Sequence, residues 1–194
     1  MKYTNAVSYV HEVLRQVVTP GAVVVDATIG NGWDTALMAE LAGPQGVVYG
    51  FDVQPLAIEV TQTRVASTPC DVRLMLSGHE EMMGHVETEH HGVVRAVTFN
   101  LGYLPGGDKD ITTMAETTRV ALEQARTLLA PDGVITIVCY RHTEGERELR
   151  AVRELLSGWP QQQYVCAETH FINQVGNPPV VFVVHRLEQS VQLP

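Results

Sequence analysis

The chain has 194 residues, 45% of them hydrophobic, and a formal net charge of −9. That length suits one domain (1–194) with a sizeable core and is short for two. The acidic balance excludes a broad basic face for non-specific nucleic-acid binding, though not a local grip on one RNA. No apolar run approaches the roughly 20 residues of a membrane span, and the first residues lack a signal-peptide core. Cys70, Cys139 and Cys166 are odd in number and form no CxxC pair, so disulfides and a zinc site are not expected, and a reducing, cytoplasmic setting fits.

Val7, Val10, Val13, Leu14, Val17 and Val18 recur at spacings of three and four, which reads as an amphipathic helix over 5–18. Pro20-Gly21 ends it, and a strand follows at 22–27. A helix at 34–42, a turn at Gly43-Pro44-Gln45-Gly46 and a strand at 47–52 come next. Pro55 suits the first turn of a helix reaching about Val65. Strands are expected at 72–76 and 93–99. Thr113-x-x-Glu116 has the capping-box spacing for a helix carrying Val120, Leu122, Ala125, Leu128 and Leu129. Asp132-Gly133 turns the chain into a strand at 134–140, and Thr143-x-x-Glu146 caps a helix to Leu156. Apolar β runs at 164–171 and 180–184 close the pattern.

Repeated strand-then-helix units predict a parallel sheet with right-handed crossovers. The last two strands are joined too briefly for a helical crossover and should pair antiparallel. This order resembles the Rossmann-like, seven-stranded α/β fold of class I S-adenosylmethionine-dependent methyltransferases, mostly parallel with an antiparallel C-terminal hairpin.

Val23-Val24-Val25-Asp26 followed by Gly30-Asn31-Gly32 reads as a buried strand, a tight turn and a helix start, which is where open α/β sheets bind nucleotide-like ligands. Asp52 stands 20 residues beyond Gly32 and can accept from both ribose hydroxyls of an adenosine cofactor. Two cofactors compete. The dinucleotide fingerprint wants a third small residue where Thr35 stands, and Asp26 would oppose a pyrophosphate yet suit the amino and sulfonium charges of S-adenosylmethionine. The balance favours S-adenosylmethionine. His79, after the third strand, either packs on the adenine or is an ordinary surface histidine. Asn100-x-x-Tyr103 has the spacing of the Asn-Pro-Pro-Tyr loop of amine methyltransferases, with Leu101-Gly102 in place of the prolines. An Asn amide oxygen can accept the hydrogens of an attacking amine, and Tyr103 can stack on an extruded base. No metal-ligand spacing is present among the remaining histidines and acids.

Taken together, Asp-Ala-Thr-Ile-Gly-Asn-Gly-x-Asp-Thr (26–35), Phe-Asp-Val-Gln (51–54), Phe-Asn-Leu-Gly-Tyr-Leu-Pro-Gly-Gly-Asp-Lys (99–109) and Phe-Ile-Asn-Gln with Asn-Pro-Pro (171–179) resemble the bacterial tRNA 5-aminomethyl-2-thiouridine methyltransferase family, once labelled rRNA methylases. The resemblance runs over nearly the whole chain. It implies methylation of the amine of the wobble uridine, with tRNA held at its anticodon region and a homodimer as the assembly. It also implies cofactor contacts from Asn31, Asp34, Asp52, Gln54 and His79, with Thr28 and Thr35 as further ones beside Asp26, Gly30 and Gly32. Substrate contacts would come from Tyr103, from His142 and the following Glu144-Gly145, and from Asn173 in the hairpin loop. The proton acceptor stays open between Asp34 and a backbone carbonyl near Asn100. Trp33, where His is expected, and Cys139-Tyr140-Arg141 depart from the pattern. A methyltransferase acting on rRNA or a small amine, and a cofactor-binding domain without catalysis, are the alternatives.

Overall fold

Asn5 starts the chain's order by capping a helix. Its side chain accepts the Ser8 backbone N–H while the Ser8 hydroxyl takes the Asn5 backbone N–H, a reciprocal box. Helix α1 (Ala6–Val17) then buries Val10, Val13 and Leu14. The computed structural model describes residues 3–108 and 110–188. Its remaining elements are β1 (Val23–Asp26), α2 (Trp33–Ala42), β2 (Val47–Asp52), α3 (Pro55–Val65), β3 (Asp71–Leu76), the short α4 (Met82–His85), β4 (Val94–Leu101), α5 (Ala115–Leu128), β5 (Leu129–Cys139), α6 (Thr143–Ser157), β6 (Tyr164–Thr169) and β7 (Val180–Arg186).

The strands form one sheet in the order β3-β2-β1-β4-β5-β7-β6. The first five are mutually parallel; β7 runs antiparallel to both β5 and β6, and so sits inside the sheet while β6 forms its edge. Period-two alternation divides the core. Val24, Val48, Ala96 and Val138 face α1 and α2, whereas Val25, Phe51, Val97 and Phe99 face α5 and α6. Each buried valine or phenylalanine among them contributes roughly 1.5–3 kcal/mol, so both layers hold the sheet. Strands β1, β2 and β4, covered on both faces, therefore read as near-continuous apolar runs, unlike the edge strand β3.

Two expected caps take other forms. Met114 is the N-cap of α5 and makes no side-chain bond, because the Thr113 hydroxyl instead donates to Glu148 Oε2 at 2.7 Å. For α6 the cap is His142, whose Nδ1 accepts the Gly145 N–H at 3.3 Å; Thr143 is already helical. Side chains that reach a buried carboxylate or turn back on their own helix outcompete the local box. Strand β5 also begins earlier than expected. Val94 pairs with Leu129 and Ala96 with Val134, so residues 130–133 bulge out, with Asp132 left-handed at φ 59°.

Candidate active site

After β1 the chain leads outward to β2 and β3, then returns to place β4 on the other side of β1. That reversal leaves a crevice at the carboxyl ends of the strands. A cavity of about 640 Å³ occupies it, of the size small ligands fill. Because its wall draws on β3, β2, β1, β4 and β5 in turn, one end faces His79 and the other faces Tyr140 and His142.

The two glycines of the turn do different work. Gly30 (φ 49°) lines the cavity, and a Cβ there would make only ordinary contacts, with the Leu104 side chain at 3.7 Å and the Thr28 carbonyl at 3.9 Å. Gly32 (φ 76°) lies behind the wall, where a Cβ would come within 2.5 Å of the Thr61 hydroxyl. Its smallness lets α3 pack on the turn rather than letting a ligand approach. Asp26 and Thr35 are also behind the wall, both fully buried, with the Thr35 hydroxyl donating to Asp26 Oδ2 at 2.6 Å. Burial, helped by the nearby Asp34 charge, pushes Asp26 up to about 7. Asp26, Gly32 and Thr35 thus sit behind the cavity wall, where they support the turn.

At the cofactor end, Asp52 clamps the turn: Oδ2 accepts the Gly30 N–H at 3.0 Å and Oδ1 the Gln54 N–H at 2.9 Å. Each oxygen keeps a second lone pair for a ligand hydroxyl. Burial raises its carboxyl above the usual range. Gln54 and Asn31 line the same wall, and Asn31 Nδ2 donates to the Pro105 carbonyl at 3.3 Å. His79 is buried rather than on the surface, which removes the plainer of its two readings. Its ring bonds the Ala27 backbone, its Nε2 has no partner, and burial lowers its pKa, so it stays neutral. Nε2 is thus an unpartnered polar atom of a residue on the cavity wall.

At the other end, Thr28 Oγ1 accepts the Asn100 backbone N–H at 2.6 Å, which docks the end of β4 on the turn. The Asn100 side-chain Nδ2 donates to Asp34 Oδ2 at 2.7 Å. Its amide oxygen is therefore the atom left to accept from a ligand. Tyr103, partly exposed, lies with its ring centroid 5.8 Å from that of His142. Since His142 Nδ1 accepts from Gly145, its neutral ring carries the proton on Nε2, a buried donor with no protein partner. The Thr112 hydroxyl is likewise buried and unpartnered at this wall. Gly145 is required here, because a Cβ would come within 1.9 Å of the Tyr140 carbonyl.

The cavity thus gathers Thr28, Gly30, Asn31, Asp34, Asp52, Gln54, His79, Asn100, Tyr103 and His142. Asn173 is exposed and outside it; Asn177 is the residue of the hairpin loop that reaches the wall. Lys109, last in the 99–109 block, is outside the described residues. Sequence reasoning missed His11, whose Nε2 lies 2.6 Å from Asp34 Oδ1. The available signal was a polar residue inside the Val7–Leu14 apolar stripe. It also gave no role to Trp33, which is 63% exposed at the rim with the Arg64 guanidinium carbon 3.4 Å from its ring centroid.

Residues 48–185 match the family described as "Putative rRNA methylase". The chain belongs to that family. A relative from Arabidopsis thaliana, named tRNA (mnm(5)s(2)U34)-methyltransferase, chloroplastic, is 37% identical over 192 residues, covering 94% of this chain and 70% of its own. A solved structure described as a "putative rRNA-methylase" from Clostridium thermocellum is 38% identical, with a TM-score of 0.90 over 96% of this chain and 100% of that one. A "putative methyltransferase" from Streptococcus mutans, solved in complex with SAH, is 29% identical, with a TM-score of 0.84 over 96% and 100%. The rRNA methylase family and the class I methyltransferase fold therefore stand together in this chain, as its motifs and element order imply. No helix among the described residues is long and apolar enough to cross a membrane.

Proposed function

We propose that this chain, an S-adenosylmethionine-dependent methyltransferase, methylates the primary amine of 5-aminomethyl-2-thiouridine at the tRNA wobble position, acting as one domain in the cytoplasm. The supporting observation is the acceptor-rich corner where β1 meets β4. There one Asn100 amide N–H donates to Asp34, which leaves the amide oxygen and the carboxylate's remaining lone pairs as acceptors on the wall. Such a corner suits a ligand rich in N–H groups, which an amine is and a carbonyl or an alkyl carbon is not.

The cofactor end fits the methyl donor on its own chemistry. Gly30 leaves an open face, Asp52 has lone pairs for ribose hydroxyls, and the unpartnered His79 Nε2 can accept from an exocyclic amino group. Gln54 and Asn31 complete that wall. When bound, S-adenosylmethionine supplies a methyl group on a sulfonium, an electrophile that needs no further activation. The protein's task is then to hold the amine unprotonated and in line. Asn100 Oδ1 and Asp34 accept its N–H groups, and Asp34 is placed to take the proton an ammonium must shed before its lone pair is free. Tyr103 and Trp33 offer faces on which a base from the anticodon region can stack. The buried Nε2–H of His142 can donate to a base carbonyl.

Nucleoside mass spectrometry of tRNA from a deletion strain tests this reading. The expected result is loss of the methylaminomethyl base with build-up of its amine precursor, reversed by adding purified protein and S-adenosylmethionine. Normal methylaminomethyl levels with no precursor would remove it.

A further inference from the structure

We infer that His11, on helix α1, is a positioning residue of the methyl transfer: it aims Asp34 at the acceptor amine. This rests on the amine reading above. His11 Nε2 lies 2.6 Å from Asp34 Oδ1, and Asn100 Nδ2 lies 2.7 Å from Asp34 Oδ2. A carboxylate only accepts, so the imidazole proton is on Nε2 and His11 donates. The separation is that of a charge-assisted bond. Asp34 therefore has one donor on each oxygen, one from α1 and one from β4, and its carboxylate plane is fixed. Its remaining lone pairs belong to the cavity that Asp34 lines.

A bland ion pair would look different. Exposed pairs contribute roughly 0–1 kcal/mol and join long, mobile side chains. Here the acid is buried, with only 6% of its surface exposed, and without His11 it would keep only the Asn100 amide as a donor. The histidine is also rigidly carried. The capping box at Asn5 fixes the start of α1, Val10 and Leu14 are buried against the sheet, and Gln174 Nε2 of the hairpin loop donates to the Thr4 carbonyl at 2.9 Å. Neither His11 nor Asp34 falls within the 48–185 span that the family model matches. The structure nevertheless links both to Asn100, inside that span, through the Asp34 carboxylate.

The test uses the full-length protein with S-adenosylmethionine and tRNA from the deletion strain. His11→Phe fills the space without donating; His11→Gln places an amide donor near the position of Nε2. We expect His11→Phe to lower kcat by about 30-fold or more, with the Kd for S-adenosylhomocysteine within about 2-fold of wild type, and His11→Gln to recover at least about a third of wild-type kcat. Retained S-adenosylhomocysteine binding shows that each variant is folded. Wild-type kcat in His11→Phe, or equal loss in both variants, would overturn the inference. An activity-free readout separates it from the substrate assignment. In ¹⁵N-labelled protein the His11 Nε2–H should give a protected, downfield signal that disappears in Asp34→Asn. Absence of that signal in wild type overturns the dyad, whereas a wild-type enzyme that leaves this tRNA unmethylated while keeping the signal refutes only the substrate.

Discussion

Asn100 and Asp26 show how burial and partners decide the duty of a polar side chain. Asn100 spends its donor on Asp34 and its backbone N–H on Thr28, leaving the amide oxygen for a ligand. Asn100→Ala should therefore lower kcat by roughly 100-fold while the Kd for S-adenosylhomocysteine, measured by calorimetry, changes less than about 3-fold. An equal loss in both would place Asn100 in cofactor binding instead. Asp26 has no water to stabilise its charge and is pushed from an ordinary 3.8 up to about 7. Between those values the unfolded chain has shed this proton and the native one keeps it, so Asp26 makes stability fall as pH rises from about 4 to 7, then level off. The urea midpoint of Asp26→Asn relative to wild type should rise between pH 5 and pH 8. A constant offset would mean that Asp26 is ionised throughout. Asp52 and Glu148, also raised by burial, tilt both proteins in the same direction and do not mask the difference.

Elements with strong periodicity were legible before any coordinates. The valine runs of β1 and β2, the apolar stripe of α1 and the short connection before β7 each carry their physical cause in adjacent residues. The caps of α5 and α6 were not legible. Thr113 and Thr143 have the right spacing, but Thr113 is claimed by Glu148, 35 residues away, and the α6 cap by His142. The site followed the same division. Asp52, Asn100 and Tyr103 stand at strand ends and could be placed by counting, whereas His11 meets Asp34 only through the docking of α1. Asp26 and Thr35 were readable as a motif, yet nothing local says that they turn inward. The turn itself is testable as a packing unit. Gly32→Ala must adopt φ near 76° and push on Thr61, so it should cost about 1–3 kcal/mol in chemical denaturation. Thr61→Ala added to it should recover part of that loss. A neutral Gly32→Ala would assign the glycine to ligand approach after all.

At the scale of the molecule, a net charge of −9 leaves little surface for gripping a polyanion. Binding tRNA through stacking at Trp33 and Tyr103 with few phosphate contacts predicts a shallow salt dependence. The slope of log KM for tRNA against log salt should be no steeper than about 3, since each neutralised phosphate contributes close to one. A markedly steeper slope would reveal a cationic path that this reading lacks. Trp33→Ala should raise KM for tRNA several-fold with kcat little changed. The position of β7 has a further consequence, for biosynthesis. It is the last strand among the described residues, yet it lies between β5 and β6 and touches α1, which carries His11. A nascent chain that has not yet delivered residues 180–186 from the ribosome leaves β5 with a bare edge and α1 without part of its seat. Helix α1 must wait for β7, made about 160 residues later, so the active site matures only after translation has passed β7, and chains stopped before Val180 should accumulate as aggregates rather than as weak enzymes.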